Sequence, residues 1–135
     1  MRPRTAERTL CWLLRIMGGM AMLAIVAVVM PTRWMEAGAE WTDVGAFPDT
    51  PLVQYLARSL SGLYVLLGAL AIYVSRDVRR YLDFITFNGW LTIAFGATVT
   101  ALDFSIGMPA SWSWWEGPPT IVVGAAFIWL ARRAR

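Results

Sequence analysis

The chain has 135 residues, enough for one domain, with 58% hydrophobic and only 16% charged residues, against roughly 45–50% and about 25% in soluble domains. All twelve basic residues are arginines and His is absent, so the net charge of +3 needs no nucleic acid to explain it, and the commonest general base and metal ligand is missing. The single cysteine, Cys11, cannot form an internal disulfide or a metal-binding cluster, and no catalytic residue, cofactor site or metal site is assigned.

Residues 1–9 are polar and basic, with Arg2, Arg4 and Arg8 against Glu7. Leu10 to Met30 follows as 21 residues with one charge, Arg15. As a helix it would span about 31 Å, one hydrocarbon thickness. Arg15 lies near one end, where its stem reaches the phosphates. A signal peptide is the rival reading, with Ala37-Gly38-Ala39 as its small-residue site. That site lies beyond Pro31, Arg33 and Glu36, which is poor spacing for cleavage, and the segment reads as a retained first helix over residues 10–30.

Residues 31–51 form an outer loop punctuated by Pro31, Pro48 and Pro51, in which Glu36, Glu40, Asp43 and Asp49 outnumber Arg33. Trp34, Met35 and Trp41 can share one side of a short helix lying among the headgroups. An ordinary connecting loop fits equally well. A second span is predicted at 52–75, with Arg58 about two turns inside it. The turn Ser75-Arg76-Asp77-Val78-Arg79-Arg80-Tyr81 leads into a third span at 81–104. There Asn88, Thr92, Gly96, Thr100 and Asp103 fall on one small, polar face, suited to close helix packing and to hydroxyl bonds across helices or back to the helix's own carbonyls.

Residues 105–117 read as a Trp-rich outer loop, and Pro118-Pro119 suit the first turn of a helix. A helix from Pro118 to about Arg132 is short for a crossing. It either thins the bilayer or starts near Ser111 and kinks at the prolines. A helical turn through Trp112–Trp115 leading into the proline-started helix is the favoured form.

Ten of the twelve arginines flank the same ends of these segments, while six of the nine acids fall in the opposite loops. The positive-inside rule then predicts an all-α, four-span, up-down-up-down membrane bundle with both termini cytoplasmic. Arg58, Asp103 and Glu116 all lie toward the outer leaflet in that arrangement. A cation there needs acceptors or a water-filled cavity, so Arg58 is expected to pair with Asp103, Glu116 or both. Tyr55, Ser59, Ser61, Trp112 and Trp115 stand near enough in sequence to line the same place. One reading is an ion-pair clasp that fixes packing. The other is an outward-facing pocket for a small anionic or amphiphilic ligand (lipid, quinone or sterol-like), with Arg58, Asp103, Glu116, Tyr55, Trp112 and Trp115 as its ligand-binding residues. Arg15 could meet Asp83 or Asp77 on the other side.

The succession Arg58…Gly62…Gly68…Arg76-Asp77…Arg80, then Gly89…Gly96…Asp103…Gly107-x-Pro109…Glu116-Gly117-Pro118, resembles small four-helix bacterial membrane proteins such as the BphX-like group, over about residues 52–131. The resemblance implies an inner-membrane bundle and carries no activity with it. Three function classes follow. The first is a structural or accessory protein, as a homo-oligomer or within a larger membrane complex, using Gly18, Gly19, Gly62, Gly68, Gly89, Gly96 and Gly124 for packing. The second is a binder or transporter of an amphiphile. Small multidrug transporters are of similar size, but they rely on a glutamate in the first helix, and no acid lies between Leu10 and Met30. The third is a membrane-embedded enzyme with Asp103 and Glu116 as its carboxylate pair. General acid work would need a carboxyl that stays protonated, and a neighbouring arginine favours the ionised form.

Overall fold

The computed structural model describes residues 3–42 and 48–135, and among these every regular element is a helix. They are α1 (Pro3–Met22), α2 (Ile25–Val29), α3 (Thr32–Trp41), α4 (Pro51–Val74), α5 (Leu82–Ile106) and α6 (Ala110–Ala134). Arg2 and Asp43 of the sequence reading lie outside the described residues. Three stretches are long and apolar enough to cross a membrane: Pro3–Val29, Pro51–Val74 and Leu82–Ile106, with mean hydropathies of 2.1, 1.5 and 1.3. Only 11%, 11% and 17% of their most apolar windows is buried inside the protein. Leu23, Val29, Leu52, Leu66, Phe87 and Phe104 are among the large side chains left facing outward. Apolar surface on that scale is stable against lipid and not against water. The chain is a helical membrane protein.

Helix ends follow from local chemistry. Pro3 opens α1, where its missing amide costs no bond, so most of the basic tail is helical and not a loop. Thr50 caps α4, accepting from the Val53 amide at 3.3 Å, with Pro51 as the first helical residue. Gly107 ends α5 in the left-handed region at φ 75°, and the Met108 amide reaches back to the Asp103 carbonyl at 3.0 Å. That six-to-one bond is a Schellman closure, which glycine enters without steric cost. The apolar first segment breaks at Leu23-Ala24, with no proline or glycine there. Around the break the Ala24, Val26 and Ala27 amides bond three residues back, at 3.1, 3.1 and 3.0 Å, a local tightening to 3₁₀ geometry.

The last helix begins at Ala110, close to the Ser111 start weighed from the sequence and well before the favoured start at Pro118. The residues read as a Trp-rich loop are therefore mostly helical, and only Gly107–Pro109 remain outside α5 and α6. Pro118 and Pro119 sit inside the helix, which removes the amide partners of the Trp114 and Trp115 carbonyls. The Thr120 hydroxyl donates to the Glu116 carbonyl at 2.7 Å on the same turn. A helix of 25 residues is about 37 Å long, so the shortness expected of it disappears.

The chain divides into two compact units, Leu13–Ser75 and the segments Met1–Trp12 with Arg76–Arg135. In the first, α4 runs antiparallel to α1 and α2. Gly18 lies against Gly68, and a Cβ on Gly18 would stand 2.8 Å from the Gly68 carbonyl oxygen. Ten residues on, the Val28 carbonyl meets Arg58. In the second unit α5 and α6 pack along one another at two glycine pairs. A Cβ on Gly124 would stand 2.7 Å from the Gly89 oxygen, and one on Gly96 would stand 2.9 Å from the Gly117 oxygen. Each helix supplies its two glycines seven residues apart, the spacing that returns a residue to one face. Phe127, Ile128, Leu130, Ala131 and Ala134 of α6 are buried, as are Ala6, Leu10, Val78 and Ile85, and they form this unit's core.

The small-residue faces are narrower than the sequence suggests. Gly19 and Gly62 have no described atom within 4 Å of an added Cβ, whereas Gly117, not counted among the packing glycines in the sequence, lies under the Thr100 side chain. The threonine stripe bonds backward, Thr92 to the Asn88 carbonyl at 2.8 Å and Thr100 to the Gly96 carbonyl at 2.7 Å.

Candidate functional site

The six residues singled out in the sequence divide between the units. Tyr55 and Arg58 belong to Leu13–Ser75, and Asp103, Trp112, Trp115 and Glu116 belong to the other. Arg58 is half-buried on α4, two turns from the Thr50 cap. Its Nη1 donates to the Val28 carbonyl at 2.6 Å and its Nη2 to the Met30 carbonyl at 3.0 Å. These are carbonyls at the end of α2, where the helix has no further amide to offer. A guanidinium at a helix C-terminus also meets the negative end of the helix dipole. Arg58 therefore caps α2 from a neighbouring helix; the sequence reading ends this segment at Met30, as observed, but seeks acceptors for Arg58 in Asp103 and Glu116 and not in these backbone carbonyls. Its neighbour Ser61 donates to the Ala57 carbonyl at 2.8 Å, and Tyr55 is exposed.

In the second unit Glu116 accepts from the Trp112 indole at 2.6 Å, across one turn of α6. The pairing follows from α6 starting at Ala110, since four residues of helix bring these two side chains together. Trp115 points outward, 82% exposed. Asp103 is different. It stands seven residues beyond Gly96 on the glycine face of α5 and is 5% exposed. Its Oδ2 has no hydrogen-bond partner among the described residues. Ser113, on the first turns of α6, is also buried, and its hydroxyl has only a long 3.5 Å contact with the Pro109 carbonyl. A buried carboxyl oxygen without a donor is costly in a low-dielectric setting, which singles out Asp103 as the polar group in this unit most in need of a partner.

On the arginine-rich side, Arg15 donates through Nε to the Ser75 hydroxyl at 3.3 Å. The acids considered for it are engaged otherwise: Asp83 by Arg135, and Asp77 by the Arg80 amide at 3.2 Å. Glu7 pairs with Arg79 at 2.9 Å.

No family model, curated protein or solved structure matches this chain. Of the carboxylate pair considered for catalysis, Glu116 is held by an indole and Asp103 is buried beside a helix seam.

Proposed function

We propose that this protein is a four-crossing bacterial inner-membrane bundle, both termini cytoplasmic, that acts as a structural or accessory subunit of a larger membrane assembly. The fourth crossing is α6, whose 25 residues suffice for the hydrocarbon layer. The orientation follows from arginines crowding both termini and the 75–81 turn. One observation carries the accessory role: Arg58 uses two donors to hold the end of α2, so the charge most suggestive of a ligand serves helix packing. Broad apolar faces on α4 and α5 remain open for lipid or for another membrane protein.

A second reading, a binder of a small amphiphile, is favoured by the unsatisfied Oδ2 of buried Asp103, which a hydroxyl or amine on a ligand could satisfy. Native mass spectrometry of the protein released from membranes in mild detergent separates the two. The accessory reading expects an assembly of two or more protein chains. A single chain carrying one amphiphile in fixed stoichiometry would overturn it in favour of the binder.

A further inference from the structure

An open surface depression of about 520 Å³ is lined by Pro3, Arg4, Thr5 and Arg8 of α1 and by Arg79 of the turn before α5, all of them exposed. All five residues belong to one compact unit, and the volume falls in the ~300–1,000 Å³ range of small-ligand sites. Three cations share this wall. Arg4 and Arg8 stand one helical turn apart, a spacing at which like charges repel. Neither makes an ion pair among the described residues. Arg79 is held through Nε by Glu7 at 2.9 Å, which fixes the guanidinium while leaving its Nη donors to point elsewhere.

The same wall is the first turn of a 20-residue helix. The N-terminal end of a helix presents the positive end of its dipole. The arginine forks only donate and the Thr5 hydroxyl can donate beside them, so the complementary ligand is an oxyanion such as a phosphate. Its depth narrows the choice. Arg8 and Arg4 precede the apolar run at Leu10 by two and six residues, which is about 3 and 9 Å of helix rise. That interval matches the headgroup layer, roughly 5–7 Å thick on each side of the hydrocarbon.

We propose that this arginine-lined depression binds the phosphate group of an anionic phospholipid. Nothing in the inference depends on which way the protein faces or on whether it is an accessory subunit. The test titrates the full-length protein, in a neutral maltoside detergent, with dihexanoyl phosphatidylglycerol, dihexanoyl phosphatidylcholine and inorganic phosphate, followed by calorimetry. Wild type should prefer phosphatidylglycerol to phosphatidylcholine by about tenfold or more. The Arg4→Gln/Arg8→Gln double variant should lose roughly 30-fold in affinity for it, taking about a factor of five to six for each charge at the surface. Arg132→Gln/Arg133→Gln removes the same charge away from the depression and should lose less than about threefold once salt screens the long-range field. Arg4→Lys/Arg8→Lys keeps the charge and should bind within about tenfold of wild type, serving as the second variant if the glutamine chain does not fold. Inorganic phosphate binding as tightly as the lipid, and lost in the same variant, would support the oxyanion site and assign it to free phosphate. Equal losses in the two glutamine variants, or no preference over phosphatidylcholine, would overturn the proposal.

Discussion

Replacing Gly124 by alanine should destabilise the protein, although alanine is the better helix former. A Cβ at this position would lie 2.7 Å from the Gly89 carbonyl oxygen, 2.8 Å from the Ile93 Cγ1 and 2.9 Å from the Ile93 amide nitrogen. Two of these three atoms are backbone, so no rotamer change relieves them, and α5 and α6 must move apart along the seam. Overpacking of this kind costs about 1–3 kcal/mol, against about 0.5–1 kcal/mol gained from removing a glycine in a helix. The net expectation is a loss of roughly 1–2 kcal/mol. Gly19→Ala is the matched control, because an added Cβ there has no described atom within 4 Å. It should keep the propensity gain, being neutral or stabilising by up to about 1 kcal/mol. Unfolding of detergent-solubilised protein by sodium dodecyl sulfate, followed by far-ultraviolet circular dichroism, measures both. Equal effects in the two variants, or a stabilised Gly124→Ala, would refute the glycine seam.

Three further outcomes follow. Arg58→Leu should cost about 2–4 kcal/mol by leaving the Val28 and Met30 carbonyls without donors, while Arg58→Lys, with one ammonium in place of a fork, should recover part of it; equal stability of the leucine variant in the same titration would show that the cap contributes nothing. Thr50→Ala should cost about 0.5–1 kcal/mol through the lost α4 cap and should speed amide exchange at Val53, whereas unchanged exchange would remove the cap from the account. Trp34 and Trp41 are 57% and 89% exposed on α3, and if α3 rests among headgroups, chains keeping only these tryptophans should be quenched most by lipids brominated near the glycerol. Strongest quenching from bromines at the acyl termini would place α3 at the wrong depth, and quenching by aqueous iodide alone would take it off the membrane.

Much of the helical plan was legible because apolar runs in this chain end at strong punctuation. Thr50-Pro51 opens α4, Arg76-Asp77 follows its close, and Gly107-x-Pro109 closes α5. The break at Leu23-Ala24 was not legible, since the run's helix-weakening residues, Gly18-Gly19, lie a turn earlier and within α1. Arg58 holds the opposite end of α2, at Val28 and Met30, where Pro31 closes the segment. Pro118-Pro119 misled in the other direction. Proline is best accommodated in a first turn, yet here α6 runs through both, starting at Ala110, and that extension brings Trp112 to Glu116. Asp103 was visible as an acid on the small-residue face, but its burial comes from how closely the glycine pairs let α5 and α6 approach. The grouping of Arg58 with Asp103 and Glu116 rests on shared depth and on a cation's need for acceptors, and two backbone carbonyls of its own unit, which no sequence pattern announces, supply acceptors. Depth does not specify which neighbour a side chain meets.

The central claim is that lipid is the solvent of four crossings whose arginine-marked ends share one aqueous side. Cysteines introduced singly in a Cys11→Ser background, as Ala37→Cys, Asp77→Cys, Gly107→Cys and Arg135→Cys, can be probed in intact spheroplasts with a membrane-impermeant maleimide. Ala37→Cys and Gly107→Cys should label from outside, and Asp77→Cys and Arg135→Cys only after permeabilisation. Labelling of Asp77→Cys from outside would contradict the orientation, and labelling of Arg135→Cys from outside would reduce the crossings to three.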